Sequence, residues 1–319
     1  MLRSVLGSLV VVLFPLACAA PSSPETAERA ESAASALGSS AVCPSMAAAV
    51  AFDAYSLGEI DYVCSDFHGR IGARGNIALD GVGVEEAGLS ISAGGNVRLY
   101  YGSAAGNLEA HGDITLRHYA TGAVFAGGAI DAADGSDLGE HPGQSSFVVN
   151  HALVSSALLE ASTCYAALLA TGVPEHDASG ALVFNTTAGL NVFAVGATDI
   201  AAASGLAVNG PASAFVVINV SGATAALVAK SESLSGGVGP ETILYDFPGA
   251  TQVVISAIAF EGTILAPLAE VTFSNGHIDG ALYVGDLDGN VAGAHIGDKL
   301  SCGATTAGGQ SNHFPLKTY

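Results

Sequence analysis

The sequence predicts a mainly β protein, an irregular right-handed β-solenoid with one long α-helix packed alongside it. Three observations lead to this fold class. Similar short segments with alternating apolar residues recur along the chain, glycine occupies 41 of 319 positions, and one long segment has helical periodicity. A chain of this length holds one large domain or two ordinary ones.

The composition favours short strands and tight turns over a helical bundle. Half of the residues are apolar, only 12% are charged, and there is no Trp. The formal net charge is −20, from nine Lys and Arg against 29 Asp and Glu. Nucleic acids and anionic lipids attract basic surfaces, so this charge argues against both as partners.

The first 20 residues have the features of a secretory signal peptide. Arg3 gives a short basic region, an apolar run follows from about Val5 to Leu16, and small residues come next. We therefore expect an exported protein, either secreted or held at the cell surface.

The end of this segment offers a candidate anchor. Cys18 follows small residues in a pattern that resembles a bacterial lipobox, although Pro15 stands where Leu is usual. Cys18 is therefore a candidate for lipid attachment, which would be the protein's one link to a membrane. The alternative is ordinary cleavage beside one of the flanking alanines. Residues 21–41 are rich in Ser, Ala, Glu and Pro, which predicts a flexible tether before a domain over 42–319.

Four further cysteines, an even number in an exported chain, favour two disulfide bonds. They are Cys43, Cys64, Cys164 and Cys302. Three connectivities are open, and the sequence does not choose among them. The cysteines form no CxxC pair and have no histidines at ligand spacing, so a zinc site is not expected.

Repeated segments predict the coils of the solenoid. Each has alternating apolar positions, a Gly, a small or polar residue and then a β-branched residue. They cover residues 69–79, 89–99, 107–116 and 122–131, and after an interruption 191–203, 205–222, 255–267, 269–287 and 290–297. In the first group Gly75, Gly95, Gly112 and Gly128 align at spacings of 16 to 20 residues, about one coil. We expect these glycines at corners, where a positive φ is often needed.

The segment between the two groups predicts the helix, over about residues 146–171. It contains no Pro and no Gly, Ser145 or Ser146 could cap its start, and Gly172 could cap its end. Its apolar residues recur at helical spacing, and they are Phe147, Val154, Leu158, Ala161, Tyr165 and Leu168. The long flat side of a solenoid would accept such a helix.

Several stretches give the chain a resemblance to the choice-of-anchor A family of exported microbial proteins, which carry an adhesin domain. They are 51–79, 190–200, 211–222, 243–255 and 260–287, and the last contains GTILAP and NGHIDG. The resemblance covers about residues 48–315. It implies a secreted or surface β-helical adhesive domain, similar in architecture to ice-binding β-solenoids that have a helix alongside. It supplies no catalytic residues. The family's usual C-terminal anchor is not found here, and the candidate lipobox would take its place.

We expect no catalytic residue and no cofactor. Glu261 and Glu270 bracket the run GTILAPLA, but a strand and a turn do not hold two carboxylates across a cleft. We expect Ile264 and Val271 to point inward, with Pro267 at a corner. Two acidic loops are weak calcium candidates, although Asp is also a normal turn residue. Their side chains are those of Asp131, Asp134, Asp137, Asp286 and Asp288.

The function predicted is a non-enzymatic, exported adhesin or matrix-binding module, expected to be monomeric, whose ligand is a glycan, a matrix protein or another cell surface. The alternative is a solenoid that binds ice or a carbohydrate surface, although the threonines are scattered and form no regular rows. A third hypothesis is a carbohydrate-active enzyme, but the small number of basic residues argues against it.

Overall fold

The computed structural model describes residues 43–133, 140–289 and 310–317. One compact unit spans Val42–Tyr319. The predicted signal peptide, the tether, Cys18 and Cys302 lie outside the described residues, so those sequence interpretations stay predictions.

The described chain forms a parallel β-solenoid, which confirms the predicted fold class. Strands of successive coils pair in parallel to build three walls, and apolar side chains point inward from all of them. Ile60, Ile77, Val97 and Ile114 form one such inward row, and each is fully buried. Ile264 and Val271 are fully buried in the same core, as predicted.

The first wall, here called the helix-covered wall, contains eleven strand segments. In spatial order they are β14 (Gly189–Gly196), β16 (Ala214–Ser221), β19 (Ile243–Asp246), β22 (Thr263–Ser274), β24 (Leu282–Gly289), β1 (Phe52–Ser56), β3 (Arg70–Ala73), β5 (Leu89–Ala93), β7 (Asn107–Ala110), β9 (Val124–Ala126) and β11 (Glu140–His141).

The second wall, here called the acidic wall, uses the second halves of β22 and β24 together with further strands. These are β17 (Thr224–Val228), β20 (Gln252–Ser256), β2 (Ile60–Phe67), β4 (Ile77–Val84), β6 (Val97–Ala104), β8 (Ile114–Ala120) and β10 (Ile130–Ala133).

The third wall continues from the ends of β2, β4, β6 and β8. It also contains β21 (Ala259–Glu261), β23 (His277–Gly280) and β25 (Gln310–His313). A separate four-stranded sheet is made of β12 (Glu175–His176), β13 (Leu182–Asn185), β15 (Gly205–Asn209) and β18 (Ser231–Ser235).

The coils do not stack in the order of the sequence. β1 lies between β3 and β24, so the first coils of the chain stack on the last described coil, with Ala54 opposite Leu282. The two groups of repeats seen in the sequence therefore form one continuous solenoid.

The aligned glycines form one column at the corner that leads into the acidic wall. Gly95 N–H donates to Gly75 O, Gly112 N–H to Gly95 O, and Gly128 N–H to Gly112 O, at 2.9–3.0 Å. None of these four glycines has a positive φ, so the prediction that a positive φ requires glycine at these corners is wrong. Close approach is the reason, because a Cβ on Gly112 would lie 2.1 Å from Asn96 Oδ1.

Left-handed residues form a column at the next corner, between the acidic wall and the third wall. Cys64, Gly81, Tyr101 and His118 have φ between 50° and 66° in successive coils, and Ala229, Ala257 and Asn275 have φ of 51° or 52°. Only one of these residues is Gly, so the coil imposes the left-handed conformation on ordinary side chains.

The long helix, α1, spans His151–Ala166 and is shorter than the predicted 146–171. Asn150 caps its start, not Ser145 or Ser146, because Val148 N and Val149 N donate to the buried carboxylate of Glu109. A contact with the wall also sets the end of α1. Thr171 N–H donates to Val192 O of β14, so the chain beyond Ala166 binds the wall and not the helix.

A second helix, α2, was not predicted. It spans Ala197–Ala202, inside a segment that we interpreted as strand. Asp199, at its third position, accepts a hydrogen bond from Gly196 N, which supports the helix start.

α1 packs on the helix-covered wall through its apolar face, as the sequence predicted. Val154, Leu158 and Ala161 are buried there. Their apolar partners from the wall include Tyr55, Val217, Leu244, Leu265 and Tyr283.

A disulfide bond between Cys43 and Cys164 fastens the last turn of α1 to the start of the domain. Its two cysteines are 121 residues apart, a loop for which chain entropy gives about 4–5 kcal/mol of stabilisation. Cys64 is also disulfide-bonded.

Polar groups lie buried between α1 and its wall. Ser162 Oγ donates to Asp246 Oδ1 at 2.7 Å, and Asn219 Nδ2 donates to Tyr165 O at 2.8 Å. Asn219 and Asp246 are neighbours on paired strands. Within the described part of the chain, Asp246 Oδ2 and Asn219 Oδ1 are left without a hydrogen-bond partner. The Asp246 carboxyl therefore lies between α1 and its wall with one of its two oxygens unsatisfied.

We expect Gly112→Ala to destabilise the domain by about 1–3 kcal/mol, because its Cβ meets Asn96 Oδ1 and the corner cannot close. Gly249→Ala is the matched control, since a Cβ there has no neighbour within 4 Å. Thermal and denaturant unfolding measure both. Equal effects of the two substitutions would show that the glycine column carries no packing constraint.

We expect Asp246→Asn to stabilise the domain at pH 8 and to change little at pH 4. Burial raises the pKa of Asp246 to about 7, so the folded protein keeps a proton that the unfolded chain loses near 3.8. The wild type therefore loses stability as the pH rises from about 4 to 7, by a few kcal/mol at most. Asn is uncharged at every pH, so the variant has no buried carboxylate to ionise. Unfolding curves of both proteins from pH 4 to 8 test this, and a variant that is less stable at every pH would refute it.

Candidate functional site

The acidic wall is the candidate binding surface, because α1 occupies the outer side of the helix-covered wall. Its outward side chains are exposed or half-buried, apart from Val63 and Asp80, which are fully buried. Solvent therefore reaches the acidic wall through its other outward side chains and not at Val63 and Asp80.

A ladder of polar side chains runs along the corner of this wall. Four of its side-chain oxygens accept a backbone N–H from the next coil, including Asn76 Oδ1 from Asn96 N and Asn96 Oδ1 from Asp113 N, both at 2.8 Å. The neighbouring coils repeat about every 4.8 Å. The row contains Gln252, Glu270, Asp286, Glu59, Asn76, Asn96 and Asp113.

The central outward row mixes charged and small side chains. In spatial order it contains Ala226, Val254, Thr272, Asp288, Asp61, Ala78, Arg98, Thr115 and Asp131. Arg98 is exposed and makes no hydrogen bond or ion pair with any residue that the structure describes.

Aromatic and basic side chains border this row beyond Arg98. Tyr100 is opposite Arg117 on the paired strand. The rings of Tyr101 and His118, in the left-handed column, stack with their centroids 5.0 Å apart. Sequence reasoning did not find this group, because the residues approach only when two coils stack in this register.

A depression of about 360 Å³ opens in the acidic wall between Asp61 and Arg98. Ala78 lies between these two residues in the row, and its short side chain leaves the space. The polar residues that line the depression are Glu59, Asp61, Asn76, Asn96, Arg98, Asp113 and Thr115.

Two of the calcium candidates, Asp286 and Asp131, have other roles in the structure. Asp286 Oδ1 accepts Glu59 N–H at 2.8 Å in the corner ladder, and Asp131 forms an ion pair with Arg117. Asp288 lies half-buried in the central row. Asp134 and Asp137 lie outside the described residues. Over 43–133, 140–289 and 310–317, no group of three His, Cys, Asp or Glu residues is placed to hold a metal ion.

The carboxylate pair considered in the sequence does not form a cleft. Glu261 is in β21 on the third wall, and Glu270 is in the corner row of the acidic wall. The two carboxylates therefore face different surfaces.

One buried chain of hydrogen bonds superficially resembles a hydrolase site. His151 Nε2 lies 3.0 Å from Ser92 Oγ, which donates to Glu109 Oε1 at 2.7 Å. Burial lowers the pKa of His151 to about 4, so the ring is neutral near pH 7. Since the Ser92 hydroxyl donates its hydrogen bond to Glu109, His151 Nε2 donates to Ser92 Oγ and Nδ1 accepts from the Tyr55 hydroxyl, 3.0 Å away.

This direction of donation is the reverse of what a serine nucleophile needs. A catalytic serine gives its proton to the histidine, and its oxygen must be accessible to substrate. Ser92 is fully buried and its proton points to Glu109. The chain of hydrogen bonds therefore fastens the start of α1 to the wall.

Comparison with protein families gives one match. Residues 45–296 match the family described as "Putative Ice-binding-like adhesive domain". A search of curated proteins finds no match. No helix among the described residues is long and apolar enough to cross a membrane.

Solved structures of ice-binding proteins resemble the chain at low sequence identity. The protein from the Antarctic ascomycete Antarctomyces psychrotrophicus is 16% identical, with 77% of this chain and 95% of that chain covered and a TM-score of 0.41. One from an Antarctic biological consortium is 14% identical, with 84% and 88% covered and a TM-score of 0.41. LeIBP from an Arctic yeast is 15% identical, with 77% and 90% covered and a TM-score of 0.36.

We expect Asp286→Ala to lower stability by about 0.5–1 kcal/mol, since it removes the acceptor for Glu59 N–H. Asp286→Asn keeps an acceptor oxygen and should cost clearly less. Melting curves with calcium and with a chelator should coincide for the wild type and both variants. A calcium-dependent rise in Tm that Asp286→Asn abolishes would instead make Asp286 a metal ligand.

Proposed function

The chain belongs to the family of ice-binding-like adhesive domains, and from this premise we propose that it is a non-enzymatic adhesive domain that binds its ligand through the acidic wall. The observation that carries the proposal is that wall, which presents many outward polar groups over several coils. Affinity would come from an extended set of contacts held by a stiff scaffold. Preorganised side chains lose little entropy on binding, which favours such a mode.

The side chains of the wall support adhesion to a polar ligand more than binding to ice. A face that binds ice is flat and regular, often with rows of threonine. In the central row Thr272 and Thr115 are separated by Asp288, Asp61 and Arg98, which differ in charge and length. Charged side chains order water around themselves and do not repeat a lattice.

The polar clusters also support a non-enzymatic role. Glu261 and Glu270 face different walls, and the serine beside His151 is buried and donates its hydrogen bond to Glu109. The observed clusters serve the fold.

An adhesive domain of this kind would act outside the cell, in agreement with the predicted signal peptide. The resemblance to choice-of-anchor A proteins supports the same assignment, since members of that family attach to the surface in different ways. Lipid attachment at Cys18 is the anchor that we propose, and mass spectrometry of the mature N-terminus would test it.

Adhesion can be tested with glycan and matrix-protein arrays and a matched pair of variants. Thr272→Lys places a bulky cation in the central row, and Ala259→Lys places one on the third wall. We expect the wild type to bind at least one component, Thr272→Lys to weaken that binding at least fivefold, and Ala259→Lys to leave it unchanged.

Three outcomes would contradict the proposal. Blank arrays would leave no adhesive ligand. Inhibition of ice recrystallisation that Thr272→Lys abolishes would assign the wall to ice. Turnover of a polysaccharide would make the protein an enzyme.

A further inference from the structure

We propose that the depression between Asp61 and Arg98 binds an acidic sugar unit of a glycan, with the carboxylate of the sugar on the Arg98 guanidinium. This inference rests on the proposed function, because it names the ligand class for part of the same wall.

The size of the depression suits a small saccharide unit. Its volume of about 360 Å³ lies at the lower end of the range for small-molecule sites, about 300–1,000 Å³. Ala78 forms its floor in the central row, and Asp61 and Arg98 are its neighbours on either side. A sugar ring seated over Ala78 would lie beside the exposed Arg98.

The lining chemistry suits hydroxyl groups. The apolar residues at the base, Ile60, Ile77 and Val97, point inward and are 1% exposed. An apolar peptide side chain would therefore find no partner in the depression, whereas hydroxyls would meet carboxylate, carboxamide and hydroxyl groups. This difference favours a saccharide over a hydrophobic peptide.

The corner ladder orients these polar groups before any ligand arrives. Asn96 Oδ1 accepts Asp113 N–H, and Asp113 Oδ1 accepts Ala129 N–H, both at 2.8 Å. Among the described residues, Asn96 Nδ2 and Asp113 Oδ2 have no further partner. The Asn96 and Asp113 coils thus offer one fixed donor and one fixed acceptor along the depression, a pattern that adjacent hydroxyls of a sugar ring can satisfy.

Arg98 selects for a carboxylate. Arg117 is held by Asp131, and Lys317 by Glu241, so these cations are already paired. Arg98 is exposed with its fork of N–H donors unengaged within the described residues, and a guanidinium binds a carboxylate through two parallel hydrogen bonds.

The surrounding acidic residues limit how much negative charge the ligand can carry. Glu59, Asp61 and Asp113 line the same depression and would repel a densely charged polyanion such as a sulfated glycan. A chain in which one carboxylate alternates with neutral sugars would place its charge on Arg98 and its hydroxyls on the acidic groups.

Calorimetric titration of the full chain tests the site with three probes. The first is an oligosaccharide in which glucuronate alternates with a neutral sugar, the second is the same compound with its carboxyls reduced to alcohols, and the third is a sulfated analogue. We expect the first to bind, and the other two to bind at least tenfold more weakly.

Variants assign the carboxylate to Arg98. Arg98→Gln should weaken binding of the glucuronate probe at least tenfold, and Arg98→Lys about threefold, because Lys keeps the charge but loses the fork. Arg74→Gln is the matched control, since Arg74 is an exposed cation outside the depression, and we expect no change. Unchanged melting temperatures would show that each variant is folded.

The inference is overturned if the glucuronate probe does not bind, if its reduced form binds equally, or if Arg98→Gln has no effect. These failures are separable from failure of the proposed function. If Thr272→Lys still abolishes binding to another array component, the wall remains adhesive and only the acidic-sugar site is wrong.

Discussion

The structure depends on how closely the backbones of neighbouring coils approach at the corner of the acidic wall. Along the glycine column, each glycine donates its N–H to the carbonyl of the glycine one coil earlier. An Asn or Asp side chain beside it accepts a second backbone N–H. Both contacts need the absence of a Cβ, since Gly112 has no room for one. Because this corner recurs from Gly75 to Gly128, it keeps those coils in register along the acidic wall, and the outward rows there follow from that register.

The same constraint explains why one wall is covered and another carries polar groups. The outer side of the helix-covered wall is largely apolar, and α1 buries it, with the Glu109 carboxylate and the Cys43–Cys164 disulfide holding its two ends. In the corner ladder, Asn76, Asn96 and Asp113 each use one side-chain oxygen to accept a backbone N–H, and Asn96 Nδ2 and Asp113 Oδ2 are left for solvent or a ligand. Polar residues at this edge are therefore structural and accessible at once.

The sequence predicted features that depend on local pattern. Alternation and glycine spacing indicated the coils, and the inward positions of Ile264 and Val271 followed from it. The ends of α1 could not be predicted, because Glu109, about 40 residues earlier, competes for the backbone at Val148 and Val149. The depression over Ala78 was also hidden. It exists only because Asp61, Ala78 and Arg98 fall in one row, a register that no single coil reveals.

The order of the coils has a consequence for folding in time. β1 and β2 pair with β24, so the middle of the solenoid is a seam between segments more than 200 residues apart in the chain. Closing so long a loop loses chain entropy before any stabilising contact between the two coils has formed, which makes this step intrinsically slow. A chain emerging from its amino end presents unpaired edges of β1 and β2 until residues near 289 arrive. Assembly of the complete wall must therefore wait until residues 282–289 have been made.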